Sequence, residues 1–377
     1  MSSQRSFTLL IPGDWATPTG GYRYLRAMAQ AMGMVGWDVT VLRIDADWPA
    51  PDAAALTRAA AQIGALADGT LVVADGLAFG VLAEVVAAHA LRLRWVALVH
   101  HPLHLETGLG AAHKAQLLHS ETQALALARH TIVTSASTQQ DVLAMGVALS
   151  RVAVVEPGTE RQPVSLISGA ASGDEGVDSD VDSGMNKPTD PERPVQLLCV
   201  ATITPRKGHG LLLEALAGLR AGRSTLNWTL HCVGSLTRDT ATAAAVLAQS
   251  QQPNLRGRVQ WHGEVDTAAL QAHYAAADLL VMPSWHEGYG MAVAEALAAG
   301  LPVLASRAGA LAQTLPPQAG LQVPAGDVPA LQAALQKLVS DPTLRARLAA
   351  GAKAAGRQLP TWQQQAALFA AVLQEVE

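Results

Sequence analysis

Cysteine and aromatic side chains are scarce in this chain, and each shortage excludes something. Two cysteines, Cys199 and Cys232, occur in 377 residues. That is too few for a disulfide framework, and both fall inside apolar runs, so buried free thiols in a reducing compartment are expected. Aromatic residues make up 4% of the chain, so any core must be built from Ala, Leu and Val. Charged residues are also few, at 15% against 50% hydrophobic, which excludes general disorder. There is no basic excess: the formal net charge is −5. A nucleic-acid partner, whose phosphates need a basic face, is therefore not expected. No polybasic cluster predicts firm membrane attachment, which leaves at most a weak peripheral contact. No apolar stretch reaches the roughly 18 residues that a bilayer span requires. Met1-Ser2-Ser3-Gln4-Arg5 lacks a signal peptide's apolar run, and the expected location is the cytoplasm.

The length is enough for two domains with full hydrophobic cores. In the first half, strand-like runs at 7–11, 39–44, 71–74, 95–99, 131–134 and 152–155 alternate with helical patterns at 22–34, 79–91 and 109–128. This βαβα order predicts a parallel sheet covered on both faces. From Pro163 to Pro194 the composition turns to Gly, Ser, Asp and Pro, which reads as a flexible acidic insertion at a domain boundary. Its aspartates alternate, but their spacing misses the calcium-loop pattern and no closing Glu follows, so no metal is expected there. The second half restarts the rhythm, with strands at 196–201, 228–233, 259–262, 279–282 and 303–305. Helical patterns at 210–221, 241–248, 267–277, 290–299 and 329–338 lie between and after them. The expected division is 1–162, an acidic linker at 163–194, a second domain at 195–358, and a helix at 359–377 that crosses back to the first domain. The predicted fold class is α/β: two Rossmann-like, doubly wound domains facing a central cleft.

Chemistry concentrates at strand ends. The run Pro283-Ser284-Trp285-His286-Glu287-Gly288-Tyr289-Gly290-Met291-Ala292 leaves an apolar strand and enters a helix containing Glu295. Two carboxylates eight residues apart in an apolar setting each need a partner, because a buried unpaired carboxylate costs several kcal/mol. In open α/β sheets ligands sit outside the carboxyl ends of strands, where helix N-termini favour phosphate. A phosphate between the loop amides, with hydroxyls on Glu287 and Glu295, is the working reading. Thr204-Pro205-Arg206-Lys207-Gly208 also follows a strand and opens a helix, the arrangement of a diphosphate clamp, although a solvated basic pair would look similar. Gly20 and Gly21 open the first helix. They lack the third glycine of a dinucleotide fingerprint, so no nicotinamide site is expected, and a tight turn without ligand reads equally well. His100-His101-Pro102-Leu103-His104 invites a zinc reading, but no cysteine is near and no helical pair forms. A histidine at a strand end could instead bond a substrate hydroxyl or stabilise developing charge. Glu106 is close enough in sequence to join it.

Taken together, Glu287 to Ala296 with its two carboxylates, Gly300-Leu301-Pro302-Val303, Tyr274 to Ser284, Pro205 to His209, Glu156-Pro157-Gly158-Thr159 and Gly326-Asp327 resemble the retaining glycosyltransferases of family 4, which have the two-domain GT-B fold and an E-x7-E signature. The resemblance spans nearly the whole chain outside the acidic insertion; it is specific in the second domain and loose in the first. It implies a nucleotide-sugar donor in the second domain, with Glu295 on the ribose hydroxyls and Glu287 on a hydroxyl of the donated sugar. The loop from Gly288 and Tyr289 through Gly290, Met291 and Ala292 would meet the diphosphate, with Arg206 and Lys207 beside it. His100, Glu287 and Lys207 are the implied catalytic groups, and Gly20 and Gly21 the loop closing over the phosphate. This chain has Ala201-Thr202 where the family carries Gly-Arg, so Arg206 is the candidate replacement guanidinium. His101 is the neighbour competing with His100.

The implied activity is transfer of a hexose from a UDP- or GDP-sugar to an acceptor hydroxyl on a small molecule, glycan or lipid-linked group, without metal or other cofactor. Two alternatives are a nucleotide-sugar 2-epimerase of the same fold and a non-catalytic nucleotide-sugar-binding protein. Acceptor-independent change at the sugar's C2 would mark the first, and donor binding without any turnover the second.

Overall fold

The computed structural model describes residues 5–45, 48–160, 193–219 and 226–376. The expected acidic linker lies outside these residues except for Arg193 and Pro194.

Two six-stranded parallel sheets form the frame. The first comprises β1 (Arg5–Pro12), β2 (Trp37–Ile44), β3 (Leu71–Asp75), β4 (Arg94–Val99), β5 (His130–Val133) and β6 (Val152–Val154), in the order β2-β1-β3-β4-β5-β6. The second comprises β7 (Val195–Val200), β8 (Trp228–Val233), β9 (Val259–Gly263), β10 (Leu279–Met282), β11 (Val303–Arg307) and β12 (Gly320–Pro324), ordered β12-β11-β10-β7-β8-β9. Near-continuous apolar runs such as Leu71-Val72-Val73-Ala74 and Leu279-Leu280-Val281-Met282 are buried throughout, as parallel strands covered on both faces must be. Each sheet separates two apolar cores. Trp95 and Trp228, one per sheet, are the largest fully buried side chains.

The strand order reverses between β1 and β3 in the first sheet and between β7 and β10 in the second. Such switch points open crevices at the carboxyl ends of the strands, because neighbouring connections run to opposite faces. The two crevices are where the loops after β1, β3, β7 and β10 emerge.

The expected strands all form. Three departures have local causes. The pattern read as one helix over 79–91 is two, Gly76–Phe79 and Ala83–His89; the Asp75 side chain caps the first by accepting from Leu77 N–H at 2.9 Å. β12 escaped notice because it is a short edge strand ending in proline. The helix Pro342–Gly356 was missed because its window is Ala- and Arg-rich with little apolar periodicity. The final helix, Trp362–Val376, packs into the first domain's core beside Phe7 and Trp37, with the Phe7 and Phe369 rings 6.2 Å apart. Among the described residues no helix is long and apolar enough to cross a membrane.

Candidate functional site

The carboxyl ends of both sheets face one cleft of about 1350 Å³. In the second domain, the turn Pro205–Lys207 leads through Gly208, at φ +70°, into the helix His209–Ala217. A Cβ on Gly208 would strike the Pro283 carbonyl, so glycine is needed both for the backbone sign and for the close approach. This contact lays Arg206 and Lys207 against the loop after β10. There, Gly290 at φ +93° turns the chain into the helix Met291–Ala298, whose first residues, Met291 and Ala292, line the cleft.

Glu287 is buried, and its short bonds gather on one oxygen. Its Oε1 takes Lys207 Nζ at 2.6 Å and the Ser284 hydroxyl at 2.7 Å, and Arg206 Nη1 lies 3.8 Å from Oε2. Burial pushes the Glu287 carboxyl up, but the Lys207 and Arg206 charges outweigh it and hold the net value below the ordinary one. Burial lowers Lys207 against the pull of Glu287. Glu295 accepts from the Tyr274 hydroxyl at 2.9 Å and pairs with Arg23 of the first domain at 2.8 Å. Burial and the Glu295 charge push the Tyr274 hydroxyl well up, so it stays a donor.

In the first domain, His100 follows β4 and His101 is beside it. The His100 ring meets Tyr24 edge-on at 5.0 Å, sits by the Gly21 backbone, and brings Nε2 to 3.3 Å from the Asp75 carboxylate. His101 turns the other way and packs against the His286 ring at 4.7 Å. Burial first, then the Arg206 charge, lowers the His101 value well below normal, so its ring is neutral near pH 7. His104 lies by Glu121 at 3.9 Å and does not join the cleft lining.

The domains touch directly across the cleft. A Cβ on Gly288 would collide with the His100 carbonyl, and Thr138 Oγ1 donates to Gly288 O at 3.2 Å. Arg206 Nε bonds both oxygens of Glu106, at 3.0 and 3.1 Å, while its Nη1 donates to His286 O at 2.8 Å. Gly20 sits by the Met291 sulfur.

The structure therefore gathers all the sequence-predicted site residues along one cleft: Gly20, Gly21, His100, Arg206, Lys207, Glu287, Gly288, Tyr289, Gly290, Met291, Ala292 and Glu295. Sequence reasoning missed Arg23, Asp75 and Tyr274, and did not assign Ser284 a role. Asp75 ends a strand, and Arg23 follows the Gly20-Gly21-Tyr22 turn, so position could have suggested both; Tyr274 carried no such signal. Arg238, Asp239 and Glu264 also line the cleft unannounced. One grouping of described residues could hold a metal ion, His231 with His262 and His273, and it lies off the cleft lining. Burial lowers both His231 and His262, with neighbouring imidazoles adding to the effect.

Comparison with known proteins matches residues 194–341 to the family model described as glycosyl transferases group 1. A GDP-mannose-dependent monoacylated alpha-(1-6)-phosphatidylinositol monomannoside mannosyltransferase of Corynebacterium glutamicum is 31% identical over 165 residues, covering 42% of this chain and 41% of that protein. A D-inositol 3-phosphate glycosyltransferase of Xylanimonas cellulosilytica is 29% identical over 249 residues, covering 66% and 57%. The chain thus spans about half the length of these curated relatives. Among solved structures, sucrose-phosphate synthase from Thermosynechococcus elongatus superposes with a TM-score of 0.77 at 21% identity, over 99% of both chains. Anabaena HepE, in complex with UDP and glucose, gives 0.73 at 17% identity, over 98% of this chain and 100% of that one. The fold is GT-B.

Proposed function

We propose that the protein is a retaining glycosyltransferase of family 4 that moves a hexose from a UDP- or GDP-sugar to an acceptor hydroxyl. One observation carries this reading: Glu287 with Lys207, the Gly290 helix entrance and Glu295 line a single interdomain cleft. The matched relatives support the donor class, one being named as GDP-mannose-dependent and one neighbour being described with UDP and glucose.

In this reading Glu295 takes the ribose hydroxyls and Glu287 a hydroxyl of the transferred sugar. Glu287 Oε2 has only Arg206 beside it, at 3.8 Å, so a sugar hydroxyl would complete its shell and an analogue lacking that hydroxyl would leave it incomplete. The bond from the anomeric carbon to the diphosphate oxygen breaks with its electron pair going to the phosphate. Lys207, Arg206 and the Gly290–Ala292 amides are aimed where that charge appears, and prepositioned donors act without reorganisation. The acceptor oxygen attacks from the face the phosphate leaves, and its proton passes to the departing phosphate oxygen. This front-face route retains configuration without a protein nucleophile. His100, whose Nε2 lies 3.3 Å from the Asp75 carboxylate, stabilises the sugar as positive charge develops on it. No metal takes part in this scheme, and the proposed location is the cytoplasm.

Calorimetric titration with UDP, GDP and ADP tests the donor side. One uracil or guanine nucleotide should bind at one site per chain, and Glu295→Ala should weaken it. Failure of all three to bind would overturn the donor-site assignment. Incubation with the matching nucleotide-sugar and an acceptor panel then tests transfer, and a glycoside of unchanged anomeric configuration is the expected product.

A further inference from the structure

Beside the cleft, but not lining it, the second sheet and its covering helix carry three imidazoles that the proposed transfer does not use. His231 lies on β8, His262 on β9 and His273 on the helix Thr267–Ala276. One ring nitrogen from each lies within 4.8 Å of the other two. We propose that this cluster is a binding site for one divalent transition-metal ion of the zinc class, held by three imidazoles with a fourth position open to water.

The strand register builds the cluster. His231 pairs with Gln260, and the ladder slips between Cys232 and Val233, which brings Val233 opposite Gly263 and leaves His262 as the extra residue on β9. A bulge of this kind re-aims a side chain and is a feature the sequence maintains. The same sheet face packs Leu198 and Val233 against Leu270 and Tyr274 of the covering helix. Imidazoles at such an apolar seam need partners, and each other's rings are what they meet. His231 and His262 stack with centroids 5.3 Å apart, and His262 and His273 lie 4.4 Å apart.

The partner behind His231 points the same way. Gln196 Nε2 donates to Pro194 O at 2.8 Å, which turns its Oε1 toward His231 Nε2, also at 2.8 Å. Nε2 therefore carries the proton and donates, so Nδ1 presents its lone pair to the cluster. Fixing the tautomer of a ligand through its far nitrogen is what outer-shell partners of metal-bound histidines do. Nδ1 lies 3.0 Å from His262 Nε2. With zinc–nitrogen bonds of about 2.0–2.1 Å, tetrahedral ligand nitrogens sit roughly 3.4 Å apart, so this pair needs only a small spread. On metal binding the His262 proton moves from Nε2 to Nδ1, and both rings stay neutral. An all-imidazole set selects zinc-like ions over magnesium or calcium, which demand oxygen ligands.

Tag-free protein stripped with a chelator and titrated with Zn²⁺ by calorimetry tests the site, with Co²⁺ absorption reporting the ligand geometry. One equivalent should bind, raise the melting temperature and give a tetrahedral Co²⁺ spectrum. His262→Ala and His273→Gln, each checked for folding by circular dichroism without metal, should lose all three signals. Gln196→Ala should keep the fold and bind about 10–100-fold more weakly. Zn²⁺ uptake by the parent protein equal to that of both histidine variants would overturn the proposal and leave the three rings as packing. These readouts use neither nucleotide nor turnover, so they are independent of the function proposed above.

Discussion

The two walls of the cleft are built from the same kind of sheet but solve different problems. The second-domain wall holds its carboxylates in networks of ion pairs and hydrogen bonds: Glu287 has Lys207, Ser284 and Arg206, and Glu295 has Tyr274. The first-domain wall holds imidazoles instead, and they are less completely partnered. His100 and His101 both have unpartnered ring nitrogens among the described residues: His100 Nε2, although it lies 3.3 Å from the Asp75 carboxylate, and both nitrogens of half-buried His101. Burying a charged carboxylate without a counter-charge is costly, whereas a neutral imidazole is buried more cheaply. The charged wall is thus held by ion pairs and hydrogen bonds, and the imidazole wall by ring packing.

Substitutions can break this contrast. The largest effect is expected from Glu287→Gln, which should lower kcat about 10²–10³-fold with the donor KM within a few-fold. Steady-state kinetics beside a thermal melt separates this from misfolding, because the variant leaves Lys207 buried without its carboxylate. A fall in donor affinity with unchanged kcat would make Glu287 a binding group only. Next in size is His100→Ala, expected to cut kcat on the order of 10²-fold with little change in donor KM. If His101→Ala does so instead, the imidazole wall acts through the ring that packs on His286. Glu295→Ala should raise the nucleotide Kd roughly 10–100-fold, the value of hydrogen bonds to a charged acceptor, and unchanged calorimetry would remove Glu295 from the donor site. Smallest is Arg23→Gln. Arg23 comes from the first wall and occupies Glu295 of the second through a partly exposed ion pair, and such pairs contribute about 1 kcal/mol or less. Donor affinity should rise by up to about fivefold, and a loss of affinity would show that Arg23 contacts the donor itself.

The same contrast explains what could be read from the sequence. The second wall was legible because its chemistry is local: Glu287, the glycine turn and Glu295 share one strand–loop–helix unit, and Arg206-Lys207-Gly208 share another. Buried strands announced themselves as short apolar runs, as in Leu279 to Met282. The first wall was legible only in part. His100 stood out at a strand end, but its partner Asp75 belongs to a different strand, and nothing in either segment says that β3 and β4 lie side by side. Arg23–Glu295, Arg206–Glu106 and Thr138–Gly288 join residues from opposite domains, so no reading along one segment could find them. The imidazole cluster escaped for the same reason, since its three members come from β8, β9 and a helix and meet only after a ladder slip.

The chain passes between its two domains twice, and the two passages touch. After β6 it leaves the first domain by way of Gly158 and Thr159, and it returns through Pro360 and Trp362 into the final helix. Thr159 N–H donates to Pro360 O at 2.8 Å, and a Cβ on Gly158 would collide with the Trp362 backbone. The described ends of the two crossings are therefore fastened to each other at a backbone seam. A side chain at Gly158 would push the crossings apart there, as one at Gly288 would push the lobes apart across the cleft.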